Sequence, residues 1–191
     1  WTAEMNRLEK SFAAKGLTRG MSFINKAGKT IKLDTDYFEK QAADIVKNNI
    51  PNYSYVSDFV KGLRKLPLGN FVSFPAEIMR TSTNIVKRGL DEISFTATLA
   101  DGTTVNPLAS VGYKRLAGMA ATTLVVPYAA AEGAKALYNV TEDEMGALRR
   151  FVPEWSKNST LIPIRDKETG KLKYIDFSHM NAYDTITRPL Q

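Results

Sequence analysis

A run of sixteen residues without a charge, residues 116–131, constrains the fold of this 191-residue chain more than any other segment. The run is rich in alanine, is interrupted by Pro127 and has charged residues on both sides. A helix needs about 20 apolar residues to span a bilayer, so the run falls short of that length. Its small residues permit close contact between helices in protein or in lipid. Two interpretations stay open, a buried helix packed against its neighbours and a segment that inserts into an envelope.

Proline predicts a kink or a break in this helix, because Pro127 has no N–H to donate to the preceding turn. We expect residues 116–138 to serve as a helix for packing or for envelope contact. The contacts would come from the larger apolar side chains of the segment. These are Leu116, Met119, Leu124, Val125, Val126 and Tyr128.

Apolar residues recur at helical spacing near the start of the chain. Met5, Leu8 and Phe12 predict a first helix, and Gly16 is a natural end for it. Asp34 or Thr35 caps a second helix, which ends at Pro51. The residues that this second helix would bury are Phe38, Ala42, Ile45 and Val46.

Two more helices are predicted between residues 54 and 93. The first begins near Ser54. The second begins at Pro75, since proline is favoured at the first helical position, and Glu77 complements the positive end of the helix dipole. This helix would bury Ile78, Ile85, Val86 and Ile93 and would expose Arg80, Lys87 and Arg88.

Two pairs of short apolar segments flank glycine-containing turns and predict β-hairpins. Residues 21–25 pair with residues 30–33, and residues 161–164 pair with residues 172–177. A further turn is expected at Asp101 and Gly102. Thr141 and Glu144 have the spacing of a capping box, which opens a short helix that ends near Arg149 and Arg150. The predicted fold class is mainly α, a helical bundle-like segment with two short β-hairpins.

The length of the chain suits one compact unit or two loosely joined halves that meet near residues 98–106. In the second case, residues 1–100 form a basic helical half with the N-terminal hairpin. Residues 101–191 then hold the alanine-rich helix, the short capped helix and the C-terminal hairpin. Because the sequence begins at Trp1 without an initiator methionine, we expect it to be a fragment of a larger polypeptide.

The composition argues against familiar catalytic chemistry. There is no cysteine and one histidine, His179, so thiolate nucleophiles, cysteine metal sites and paired-histidine zinc motifs are excluded. Acidic residues cluster at 34–39 and 142–144, where they complement predicted helix starts. A hydrogen-bonded loop position explains His179 without a catalytic role. We therefore expect no enzymatic activity, no cofactor and no metal.

The net charge of +6 is uneven along the chain, because residues 1–95 carry 15 Lys and Arg against 10 Asp and Glu. Short basic groups in this half are candidates for contact with DNA phosphates, which needs only such charges and confers no sequence specificity. A solvated helix face is the alternative. The candidates are Lys61, Arg64, Lys65, Lys87 and Arg88.

Two stretches of the sequence resemble segments of a known protein family. One is residues 59–85, which contains Leu66-Pro67-Leu68-Gly69-Asn70, and the other is residues 151–163, followed by residues 174–178 and 181–184. Together they resemble segments of the very large internal virion proteins of tailed phages, especially the DNA-ejection proteins of short-tailed, podovirus-like phages. They cover about half of the chain, and neither contains a catalytic signature.

The resemblance implies a largely helical, oligomeric inner-core protein. Such proteins lie inside the capsid around the portal, leave with the double-stranded DNA and form a conduit across the host envelope. The implied partners are further copies of the chain and other core or portal proteins. Large rigid side chains dominate interface energetics, so the expected interface anchors are Phe71, Phe74, Trp155 and Tyr183. Two other roles stay open, an accessory domain of a large phage enzyme such as a virion RNA polymerase and a cellular non-specific DNA-binding module.

Overall fold

A computed structural model describes residues 1–51, 62, 69–179, 181 and 183 of the chain. The mainly α class with short hairpins is confirmed. The chain divides into two compact units, Trp1–Gly118 (unit 1) and Met119–Gln191 (unit 2). The division lies beyond the predicted residues 98–106, because that segment forms strands that join an N-terminal strand of unit 1.

The first two helices of unit 1 have the predicted signals at their ends. Helix α1 spans Thr2–Ala13, and Gly16 follows it with a φ of +78°, a value that favours glycine. Helix α2 spans Thr35–Asn49. The Asp34 carboxylate caps α2 by accepting a 2.9 Å hydrogen bond from the N–H of Tyr37.

Unit 1 contains a four-stranded antiparallel sheet. Strands β1 (Ser22–Asn25) and β2 (Thr30–Lys32) form the predicted first hairpin. Two further strands, β3 (Ala97–Thr98) and β4 (Thr104–Val105), pair around the expected turn at Gly102. The strand order is β2-β1-β3-β4. The hairpin of β3 and β4 was not predicted, since strands of two residues carry no readable alternation.

Helix α3 spans Gly69–Ile93, so the prediction that it begins at Pro75 is wrong. Pro75 lies inside the helix, where its missing N–H removes one backbone hydrogen bond. Glu77 is buried and forms an ion pair with Arg80, so it does not serve the helix start as expected. Val86, predicted to be buried, is exposed. The predicted helix near Ser54 lies outside the described residues.

The core of unit 1 is built around aromatic rings from α1, β1, α2 and the loop that follows α3. Phe12 of α1 lies at the centre, with its ring centroid 5.6–6.1 Å from those of Phe23, Tyr37, Phe38 and Phe95. Most of these pairs are edge-to-face, the arrangement that aromatic quadrupoles favour. The buried aliphatic residues around the rings are Leu8, Leu17, Leu33, Ala42, Ile45, Ala97 and Leu108.

Burial of Tyr37 in this cluster predicts a loss of stability at high pH. Burial raises the pKa of the Tyr37 phenol from 10.0 to about 12, although the nearby Arg88 charge opposes the shift. Because the folded-state pKa is the higher one, this contribution is complete below pH 10 and disappears as the pH rises to about 12. We expect the urea midpoint of unit 1 to fall more steeply over this range in the native chain than in Tyr37→Phe. Equal slopes for the two proteins would contradict the prediction.

Helix α4 spans Ala109–Ala120 and crosses α3 within unit 1 at two glycines. A Cβ atom added at Gly112 would lie 2.6 Å from the carbonyl oxygen of Gly89. Close to this crossing, Glu92 of α3 is buried and receives hydrogen bonds from Arg88 and Arg115. Backbone contact and a buried ion cluster therefore fix the same helix pair.

The described part of unit 2 contains two α-helices and the second predicted hairpin. Helix α5 spans Val126–Leu137, and helix α6 spans Glu142–Phe151 with the predicted capping box of Thr141 and Glu144. Strands β5 (Leu161–Arg165) and β6 (Leu172–Asp176) are antiparallel, between short 3₁₀ turns at Glu154–Ser156 and Phe177–His179. The buried core is small and consists of Val140, Met145, Val152 and Leu161.

Arg165 holds the parts of unit 2 together. Its guanidinium donates to both carboxylate oxygens of Glu144 at 2.8 Å and to the carbonyl oxygens of Tyr138 and Asn139. These bonds tie β5 to the capped start of α6 and to the end of α5. The hydrogen bond from Arg165, followed by that from the Thr141 N–H, lowers the pKa of the Glu144 carboxyl.

Candidate functional site

The uncharged segment contains a π-helical turn, Ala121–Val125, immediately before α5. The N–H of Val126 donates to the carbonyl oxygen of Ala121, five residues earlier. Pro127 follows near the start of α5, where it is buried and has no N–H to donate to the preceding turn. The predicted break at Pro127 therefore takes the form of a π turn, a feature that often marks functional sites.

The two threonines of the π turn direct their hydroxyl groups to the backbone. Thr123 Oγ1 donates to the carbonyl oxygen of Met119 at 2.8 Å, and Thr122 Oγ1 donates to the same oxygen at 3.1 Å. Thr123 is buried, whereas the apolar residues that follow it are exposed. The turn thus buries a hydroxyl group and presents apolar side chains, the reverse of the usual arrangement.

The exposed side chains are those of Leu124, Val125, Val126 and Tyr128, and we call them the apolar surface. Each is more than half exposed, from 52% for Val126 to 68% for Tyr128. A buried helix, one of the two interpretations that the sequence left open, is therefore contradicted at these four positions. Contiguous apolar patches are uncommon on monomeric soluble proteins, and large ones mark interaction sites.

A cleft of about 640 Å³ in unit 2 begins at the apolar surface. Leu124 and Tyr128 line it together with Arg149, Lys157 and Leu161. Arg149 donates to the carbonyl oxygens of Lys157 and Ser159, which fixes the loop that enters β5. The apolar surface is therefore bordered by an ordered polar rim, the arrangement found in protein interfaces.

Leu116 and Met119 do not belong to the apolar surface, although the same segment contains them. Leu116 is half-buried in unit 1, where its side chain covers Gly89. Met119 is half-buried, and its carbonyl oxygen receives both threonine hydroxyls. Four of the six predicted contact residues are thus available to a partner.

The predicted interface anchors are distributed over both units. Phe74 of unit 1 is exposed, as is Trp155 of unit 2, and Tyr183 is half-buried. The side chain of Phe71 lies outside the described residues. Phe151, which the sequence did not single out, is 87% exposed at the end of α6. No periodic signal identifies it, because it is the last residue of a short helix.

The predicted DNA contacts are only partly available. Lys61, Arg64 and Lys65 lie outside the described residues, and Lys87 is exposed. Arg88, expected to be exposed, is largely buried, and its guanidinium binds Gln41, Asp44 and Glu92. The Arg88 charge is therefore paired with carboxylates of unit 1 and is not presented to DNA.

Of the carboxylates that the sequence assigned to helix starts, Asp34 and Glu144 act there as caps. Within the described ranges, no three histidine, aspartate or glutamate side chains lie close enough together to hold a metal ion. The side chain of His179 lies outside those ranges. None of the helices that the structure describes is both long enough and apolar enough to cross a bilayer.

Comparison of the chain with protein-family models, with curated proteins and with solved structures found no match.

Proposed function

We propose that this chain is a structural, non-catalytic segment of a phage internal virion protein. In this role it oligomerises near the portal and helps to conduct DNA across the host envelope. Its partners are further copies of itself and other core or portal proteins, with the virion interior and then the host envelope as its locations.

One observation carries the proposal, the exposure of Leu124, Val125, Val126 and Tyr128 on consecutive turns of unit 2. Leaving such side chains in water costs about 25 cal/mol for each Å² of apolar area, and a partner that covers them recovers this free energy. Phe151 and Trp155 add further exposed aromatic area to the same unit. Aromatic residues are enriched in the cores of protein interfaces. A segment that assembles with other protein chains accounts for this exposure. The resemblance of the sequence to phage internal virion proteins is the reason for proposing that the assembly lies in a virion.

The assembly role predicts that Val125→Asp weakens self-association of the chain. A carboxylate at the centre of the apolar surface would be desolvated without a partner, so we expect association to weaken at least about tenfold. Sedimentation velocity over a concentration series measures this directly. Co-sedimentation with liposomes, run on the same two proteins, tests envelope contact separately.

Ile24→Asp is the matched control. Ile24 is an exposed apolar residue of β1 in unit 1, so this variant makes the same chemical change away from the apolar surface. It should associate as the native chain does. A native chain that stays monomeric at every concentration, or equal loss in both variants, would reject the assembly role. Electron microscopy of the particle along the portal axis then tests the location.

A further inference from the structure

A second cleft lies in unit 1, between the C-terminal half of α1 and the start of α4, with a volume of about 600 Å³. Three of its lining residues are cations, Arg7, Lys10 and Lys15. Its other wall includes Ser110 and Tyr113 of α4. No carboxylate among the described residues lines it. The cleft therefore presents positive charge to any ligand that enters.

Two other clefts of the described chain have mixed charge. In unit 1, Asp44 and Asp91 line a cleft with Lys87 and Arg88, and in unit 2 Glu132 faces Arg149 and Lys157. Unit 1 as a whole holds 17 Lys and Arg against 11 Asp and Glu, whereas unit 2 holds 9 of each. All of the net charge of +6 thus belongs to the unit that contains the cationic cleft.

The lysines of this cleft are available for binding. Lys10 and Lys15 are exposed, and neither forms an ion pair with a described residue, whereas Arg7 pairs with Glu4. Lys10 lies in the last turn of α1 and Lys15 lies two residues beyond its end, and Ala14 lines the cleft between them. Two unpaired ammonium groups on one wall attract an anion that carries more than one charge.

The start of α4 adds donors to the opposite wall. Asn106 fixes this start, because its side chain accepts from the N–H of Leu108 at 2.8 Å and donates to the carbonyl oxygen of Ile93 at 2.7 Å. The N–H groups of Ala109 and Ser110 have no acceptor inside the helix. They lie at the positive end of the helix dipole and complement the lysines as phosphate ligands.

Tyr113 gives the cleft an aromatic surface. It lies one turn into α4, lines the cleft and is 62% exposed. Base–aromatic stacking is the usual way in which proteins hold single strands without reading their sequence. A base within a duplex has both faces covered by its neighbours, so stacking on Tyr113 requires an unpaired strand.

We propose that this cleft binds a single-stranded nucleic acid. Phosphates lie against Lys10, Lys15 and the start of α4, and a base stacks on Tyr113. The proposal does not depend on the virion role, because every residue in it belongs to unit 1 and none to the apolar surface. The residues also differ from the basic groups that the sequence suggested for DNA contact.

The test is fluorescence anisotropy of a labelled oligothymidylate of roughly 12 nucleotides, within the site sizes of single-strand binding proteins. The 191-residue chain is titrated at salt concentrations between about 50 and 200 mM, and the slope of log affinity against log salt is measured. Loss of two phosphate contacts in Lys10→Ala/Lys15→Ala should reduce the magnitude of that slope by about 1.4.

Lys26→Ala/Lys29→Ala is the matched control, since it removes two exposed lysines from the hairpin of β1 and β2 in the same unit. Its slope should stay near the native value. Tyr113→Leu should weaken binding about fivefold or more, the lower range for one stacked base, while Tyr113→Phe retains the ring and the affinity. A duplex of the same strand length should bind more weakly than the single strand.

Four outcomes would overturn the proposal. They are no binding at about 50 mM salt, equal losses in the two lysine pairs, a duplex bound as tightly as the single strand, and no effect of Tyr113→Leu. If vesicles of anionic lipid compete for the lysines while Tyr113→Leu has no effect, the cleft is a site for lipid headgroups instead. None of these outcomes alters the sedimentation result for Val125→Asp, so the two proposals fail separately.

Discussion

Replacing Glu92 by alanine should lower the free energy of unfolding of unit 1 by about 3–5 kcal/mol, the usual cost of removing one partner from a buried ion pair. The Glu92 side chain is 1% exposed. Arg115 donates to both of its oxygens at 2.9 Å, and Arg88 donates to Oε1 at 3.2 Å. Without the carboxylate, two largely buried guanidinium groups lose their shared acceptor.

Other carboxylates compensate little for this loss. Asp44 reaches Arg88 at 3.3 Å but is itself exposed, and Glu4 reaches Arg115 only at 3.7 Å. Glu92→Gln keeps the size of the side chain and one oxygen acceptor but not its charge. We therefore expect its unfolding free energy to lie between those of the native chain and of Glu92→Ala.

Urea unfolding can isolate unit 1 through tryptophan fluorescence. The chain has two tryptophans, Trp1 in unit 1 and Trp155 in unit 2, so a Trp155→Phe background leaves Trp1 as the reporter. Glu9→Ala is the control, because the Glu9–Arg19 pair is more exposed and such pairs contribute about 0–1 kcal/mol. A loss in Glu92→Ala no greater than in Glu9→Ala would show that the buried cluster does not stabilise the unit.

The elements that the sequence predicts correctly depend on residues close together in the chain. Asp34 caps α2 through a bond to Tyr37, and Thr141 and Glu144 cap each other, so each signal is complete within four residues. The hairpin of β1 and β2 likewise depends on its own turn, where Gly28 has a φ of +74°. Contacts between residues close in the chain form these features, so the sequence pattern is enough to predict them.

The elements that the sequence misses depend on distant partners. Strands β3 and β4 have two residues each and are stabilised by pairing of Ala97 and Thr98 with β1. Pro75 is favoured at a helix start but is also tolerated inside α3, and nothing near it distinguishes the two cases. Arg88 and Glu92 are visible as a pair one helical turn apart, whereas Arg115 joins them only through the crossing of α3 and α4.

The sequence likewise predicts one of the two candidate surfaces in part and misses the other. Hydropathy identifies the segment that contains Val125 but cannot decide its exposure, because the Thr123 hydroxyl and the buried Pro127 set which side faces the unit. The cationic cleft has no linear signature at all. Lys10 and Tyr113 lie on helices that are separated in the sequence by all four strands of the sheet. Only the folded chain brings them to one cleft.

Replacing Gly112 by alanine should destabilise unit 1 by about 2–3 kcal/mol, even though alanine favours a helix by about 1 kcal/mol over glycine. The new Cβ atom would lie 2.6 Å from the Gly89 carbonyl oxygen and 2.8 Å from Ile93 Cγ1. A carbonyl oxygen within a helix cannot turn aside, so α3 and α4 must move apart. That movement also disturbs the bonds between Glu92 and Arg115, which join the same two helices.

Two other glycines give the control for this prediction. At Gly118, in the same helix, an added Cβ meets nothing within 4 Å, so Gly118→Ala should retain or slightly increase stability. At Gly89 the nearest atom, 2.6 Å away, is Leu116 Cδ2, the end of a flexible side chain that can move. The expected order of stability, measured with the Trp1 reporter, is therefore Gly118→Ala, then Gly89→Ala, then Gly112→Ala. If Gly112→Ala is as stable as Gly118→Ala, α3 and α4 do not meet backbone to backbone, and the Glu92 cluster alone must hold them together.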